Sequence, residues 1–166
     1  MSSRLDFSKV VPVAEMKGED PEETLLLEEM FNWARAYLES FDWCAGIVEA
    51  WFGLGVGRVV AVFLFKIIPR PAEVDEWIWV IVGNLPPAYI VIDDAPNPAC
   101  ALNAYMIEMK SWIAAIKSGS SVADLIPVNA PPTIDNANDL EGRLGFIKRE
   151  ILAPFYGDEL RACSGD

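Results

Sequence analysis

Hydrophobic and polar residues follow two different periods along this chain, one typical of helices and one typical of strands. Between Asp20 and Ser40 the apolar residues recur every three or four positions behind an Asp-Pro start, which predicts an amphipathic helix. From Cys44 onward, branched and aromatic residues predict two strands, "CAGIVEAWF" and "RVVAVFLFKII". The glycine-rich "GLGVG" between them predicts a hairpin turn.

Two further strands and two further helices complete the pattern. The strands are predicted at residues 76–82 and 88–92, and "GNLPP" turns the chain between them. Asn97 and Pro98 open a helix that Gly119 ends, and Pro154 stops a last helix. Every connection between strands is too short for a parallel crossover, so the sheet should be an antiparallel meander.

The predicted fold class is therefore α+β, with a four-stranded antiparallel sheet and the element order α-β-β-β-β-α-α. We expect a flexible N-terminal arm over residues 1–18, one domain over residues 19–156 and a flexible tail over residues 157–166. The sheet is apolar on much of both faces, so a helix or a second copy of the chain should cover the second face. This pattern leads us to expect a homodimer.

Charge narrows the range of partners. The chain of 166 residues has a net charge of −12, with 25 acidic and 13 basic residues. Such a charge opposes binding to nucleic acid and to anionic membranes, and it favours a basic protein partner. The longest apolar stretch is divided by Arg58 and is too short for a transmembrane helix.

Histidine is absent, which excludes histidine-dependent catalysis and the usual nitrogen ligands of transition metals. Cys44, Cys100 and Cys163 are far apart and lack any CxxC spacing, so the sequence indicates neither a disulfide framework nor a zinc cluster. We expect reduced thiols, a cytoplasmic protein and no cofactor.

Five side chains form the candidate acidic site: Asp75, Glu76, Tyr89, Asp93 and Asp94. The start of the third predicted strand lies near the end of the fourth in an antiparallel hairpin, so the four carboxylates could meet at one end of the sheet. There they could hold Mg²⁺ or Ca²⁺, or act as an acid and base pair. The alternative is that they are solvated strand ends and helix caps.

A second acidic group lies on the first predicted helix. Its candidate partner-binding residues are Glu22, Glu23, Glu28 and Glu29. They would steer a basic partner toward the protein, or they are a solvated helix end that the helix dipole favours.

These patterns favour a non-enzymatic acidic interaction protein, for example an immunity- or antitoxin-like inhibitor of a basic protein. One alternative is a homodimeric domain that binds a small apolar ligand in a pocket lined by tryptophans. A further alternative is a carboxylate- or metal-dependent enzyme that uses Asp93 and Asp94.

Overall fold

The computed structural model describes residues 5–70 and 75–163, apart from the side chain of Asp94. An antiparallel sheet of five strands, in the order β1-β2-β3-β4-β5, forms its centre. The strands are β1 (Val11–Pro12), β2 (Cys44–Val56), β3 (Val60–Pro69), β4 (Trp77–Gly83) and β5 (Ala88–Val91). The predicted α+β class and antiparallel meander are confirmed, whereas the predicted number of four strands is wrong.

The additional strand is β1, and it precedes the first helix. Val11 pairs with Phe52, and Pro12 pairs with Trp51. A strand of two residues is too short to show the alternation of apolar and polar positions by which strands are recognised. Its neighbours also pack on the domain, since Val10 and Met16 are buried. The predicted arm over residues 1–18 thus includes a strand, and its flexibility stays a prediction.

Most of the glycine-rich segment, including Gly53 and Gly55, lies within β2, and only its last residue, Gly57, belongs to the hairpin turn. The turn follows at residues 57–59, where the amide of Val59 donates to the carbonyl oxygen of Val56. The glycines allow the helices to approach the sheet: a Cβ on Gly53 would lie 2.6 Å from the Pro98 side chain, and one on Gly55 would lie 2.8 Å from that of Leu27. Glycine in a strand often marks such a close approach.

Helices cover both faces of the sheet. They are α1 (Pro21–Glu39), α2 (Pro98–Ser118), α3 (Ile134–Ile147), α4 (Ala153–Phe155) and α5 (Gly157–Leu160), and a π-helical turn (Lys148–Leu152) joins α3 to α4. On β3, Phe63 and Phe65 pack in the cluster on the α1 side, while Val62 and Leu64 pack in the cluster with α2 and α3. Two helices were predicted after the sheet, and the structure adds the short helices α4 and α5 after α3.

The ends of the two long helices follow the sequence signals. The side chain of Asp20 accepts a hydrogen bond from the amide of Glu23 at the start of α1, and Asn97 does the same for Cys100 at the start of α2. Gly119 ends α2 in the left-handed conformation, with a φ of 75°. These caps fix where each helix meets the sheet.

Cys100 and Cys163 form a disulfide bond, whereas we expected only reduced thiols. The bond connects the first turn of α2 to the segment after α5, across a sequence separation of 63 residues. Asn97 supports the same junction, because its side-chain amide donates to the carbonyl oxygen of Glu159 at 3.0 Å. The pairing depends on the return of the C-terminal segment to α2, which cysteine spacing does not reveal.

Candidate functional site

The candidate acidic site is only partly assembled. Ile78 pairs with Val91, so Asp75 and Glu76 before β4 lie at the same end of the sheet as Asp93 after β5. Glu76 forms an ion pair with Lys66, at 3.6 Å between the carboxylate and the ammonium group. Its carboxylate therefore already has a cationic partner.

Asp93 and Asp94 belong to a 3-10 turn (Ile92–Asp94), and the side chain of Asp94 lies outside the described part of the structure. The cap of α2 is provided by Asn97, three residues beyond that turn. Within residues 5–70 and 75–163, no group of three or more Asp, Glu or Cys side chains is placed to hold a metal ion.

Tyr89 does not join the carboxylates. It packs on the α1 side of the sheet in an aromatic cluster with Tyr37, Phe41 and Trp43. Its ring centroid lies 5.0 Å from that of Trp43 and 5.4 Å from that of Phe41. Burial, together with the neighbouring Tyr89, raises the pKa of Tyr37 to about 12. The cluster is an apolar surface at the C-terminal end of α1.

The tryptophans that could line an apolar pocket are divided between the two faces of the sheet. Trp43 packs on the α1 side, while Trp51, Trp77, Trp79 and Trp112 belong to the cluster with α2. Trp79 and Trp112 are buried, and the indole N–H of Trp79 donates to the carbonyl oxygen of Ala95. The buried pair therefore serves as core.

The four candidate partner-binding glutamates of α1 divide into one structural residue and three exposed ones. The Glu23 carboxylate accepts hydrogen bonds from the amides of Glu19, at 2.7 Å, and Gly57, at 3.1 Å. It thereby completes the cap of α1 and holds the helix to the β2–β3 turn.

Glu22, Glu28 and Glu29 are exposed on the side of α1 that faces away from the sheet. In the described residues, none of the three has a basic side chain within ion-pair distance. Two large apolar side chains lie among them: Leu25 is 65% exposed and Trp33 is 43% exposed. We call these five residues the α1 acidic face.

A groove along the outer edge of β5 was not identified in the sequence analysis. Its cavity of about 520 Å³ is bounded by Tyr37 and Phe41 on the α1 side and by Glu108 of α2 and the loop 124–127 on the other side. The floor is β5 itself, from Tyr89 to Val91. The meander order already made β5 the last strand and hence an edge, which was the available signal.

The described residues contain no helix that is both long and apolar enough to cross a membrane. Comparison of the chain with family models, with curated proteins and with solved structures finds no significant match.

Proposed function

We propose that this protein is a non-enzymatic binding protein whose acidic surface docks onto a basic protein partner. The α1 acidic face is the observation that carries this proposal. It combines three exposed carboxylates, for which the described residues supply no ion-pair partner, with the exposed side chains of Leu25 and Trp33. Protein interfaces commonly combine an aromatic anchor, which supplies affinity, with charges that steer association.

The charge of the whole chain supports the same proposal. With a net charge of −12, the protein attracts a basic partner over distances of about one Debye length, roughly 8 Å at physiological salt. Enzymes that act on nucleic acids present basic surfaces to the phosphate backbone. An acidic protein complements such a surface, so the specific form that we propose is an immunity- or antitoxin-like inhibitor of a basic enzyme such as a nuclease.

Site-specific photocrosslinking tests this proposal. A photoreactive benzoyl-phenylalanine replaces Trp33 in one variant and Phe155 in the matched control, because both are exposed aromatic side chains. Each variant is irradiated in a lysate of the cells that naturally make the protein, at low salt and at about 0.5 M salt.

We expect a basic protein to crosslink at position 33 and not at position 155. High salt should remove the crosslink, as should combined replacement of Glu22, Glu28 and Glu29 by glutamine, since both remove the electrostatic attraction. Capture of the same proteins from both positions, or a crosslink that is insensitive to salt and to the three replacements, would contradict the proposal.

A further inference from the structure

We propose that the outer edge of β5 binds an extended basic peptide segment, which adds to the sheet as a further strand. This inference rests on the proposed function in one respect, namely that the partner is basic. It concerns a surface other than the α1 acidic face, and it specifies the backbone conformation and the side-chain pattern of the bound segment.

The two edges of the sheet differ in how they are protected. At one edge, β1 contains only two residues, and one of them is Pro12, which has no amide hydrogen to donate. Proline and short strands are common devices that prevent pairing with other chains. At the other edge, β5 has the sequence Ala-Tyr-Ile-Val, without proline or charge.

The outer side of β5 has no strand paired with it in the described residues. Its four residues pair with β4, and in the described part of the chain no backbone hydrogen bond joins them to any other segment. Alternate residues of an edge strand direct their N–H and C=O groups away from the sheet, where an added strand can satisfy them.

The walls of the groove specify the side chains of the added strand. On the α1 side, Tyr37, Phe41 and Tyr89 present aromatic surface. On the α2 side, Glu108 and Asp124 are exposed carboxylates, and neither has an ion-pair partner in the described residues. Successive side chains of a strand point to opposite faces, so the groove fits a segment in which apolar and basic residues alternate.

A second copy of this chain fits the same edge less well. Antiparallel pairing of β5 with its own copy would place the α2 sides next to each other and bring Glu108 and Asp124 near the same carboxylates of the copy. Each chain has a net charge of −12, which adds repulsion between copies. A basic segment would instead be attracted by Glu108 and Asp124 and by the net negative charge of the chain.

Synthetic peptides test the inference directly. The probe is the heptapeptide Lys-Val-Lys-Val-Lys-Val-Lys, and its affinity is measured by calorimetry together with amide chemical shifts of the protein. Two matched peptides carry backbone N-methyl groups, one on the three valines and the other on the four lysines. Methylation leaves the charge and the side chains unchanged and removes the amide donors on one edge of the peptide.

We expect the parent peptide to bind saturably and to change the amide chemical shifts of β5. Only one of the two methylated peptides should lose this binding. Combined Glu108→Lys and Asp124→Lys substitution should weaken binding roughly tenfold. The control variant, Glu15→Lys combined with Glu19→Lys, carries the same change in charge. It should retain the affinity within about twofold, because these exposed residues follow β1 at the opposite edge of the sheet.

Equal affinity of both methylated peptides and the parent would overturn the inference, because binding would then depend on charge alone. The absence of saturable binding up to about 1 mM would also overturn it. A third result would also overturn the inference: the protein alone sediments with twice its mass, and the amides of β5 are protected. That result would assign the edge to a second copy. If the photocrosslink at position 33 fails and the peptide still binds, the proposed role of the α1 acidic face is contradicted. This inference then stays intact.

Discussion

Gly83, the last residue of β4, occupies a backbone conformation that other residues rarely adopt, with a φ of 147°. A Cβ at this position would lie 2.4 Å from the carbonyl oxygen of Val59. We expect Gly83→Ala to lower the free energy of unfolding by about 3 kcal/mol, measured by urea denaturation.

Gly142 is the matched control for this substitution. It lies within α3, where an added Cβ meets no atom within 4 Å. Gly142→Ala should raise the free energy of unfolding by up to about 1 kcal/mol, because alanine favours the helix. Equal effects of the two substitutions would contradict the conformation assigned to Gly83.

Glu23 and Glu22 are adjacent in sequence and have different roles in the structure. Because Glu23 accepts hydrogen bonds from the amides of Glu19 and Gly57, Glu23→Ala should lower the free energy of unfolding by about 2 kcal/mol. Glu22→Ala should change it by less than about 0.5 kcal/mol, since Glu22 is exposed. Chemical denaturation of both variants checks this, and similar losses would contradict the structural role of Glu23.

Tyr37 makes the stability of the protein depend on pH in the alkaline range. Its pKa in the folded protein is raised to about 12, mainly by burial, from an ordinary value of 10.0. The neutral phenol therefore contributes stability that is fully present below about pH 10 and is lost as the pH rises toward 12.

Absorbance of phenolate measures the titration of Tyr37. A component with a midpoint near pH 12 should be present in the unmodified protein and absent in Tyr37→Phe. The variant should also lose less stability above pH 10 than the unmodified protein does. A spectrum in which Tyr37→Phe removes only a component with an ordinary midpoint would show that the residue is not buried.

At the scale of elements, the disulfide joins the C-terminal segment to α2. A crosslink over a separation of 63 residues restricts the unfolded chain, so Cys163→Ser should lower the free energy of unfolding by about 2–4 kcal/mol. Cys44→Ser is the control, because Cys44 is the free cysteine. Thiol titration of the denatured, unreduced protein should find one thiol per chain, and three would contradict the bond.

Elements whose signals are local could be predicted from the sequence. The Asn97 cap and the Gly119 end located α2, and the run of branched and aromatic residues located β3. Gly53 and Gly55 were misassigned to a turn, because they serve contacts with Pro98 and Leu27, which are distant in sequence. The return of Cys163 to Cys100 is non-local in the same sense.

The candidate site was harder to predict than the fold. Adjacent strand ends did bring Asp75, Glu76 and Asp93 to one end of the sheet, as antiparallel pairing requires. The face to which Tyr89 points depends on a register that the sequence alone did not determine. Likewise, residue type alone could not show that Glu23 has a structural role and Glu22 does not, because the partner of Glu23, Gly57, lies 34 positions away.

At the scale of the whole molecule, both faces of the sheet are covered by helices of the same chain. A second copy is therefore not needed to shield the sheet, and the homodimer stays a prediction. The surfaces that offer binding chemistry are the α1 acidic face and the β5 edge, and both favour a basic partner. Electrostatic attraction should therefore dominate the association of this protein with its partner.

The most direct test is the ionic-strength dependence of association with the protein that crosslinks at position 33. By stopped-flow mixing, the association rate constant should fall roughly tenfold or more between low salt and about 0.5 M salt, while the dissociation rate constant changes little. Replacing Glu22, Glu28 and Glu29 by glutamine should reduce both the rate and its salt dependence. An association rate constant that is independent of salt in the unmodified protein would contradict electrostatic attraction between the protein and a basic partner.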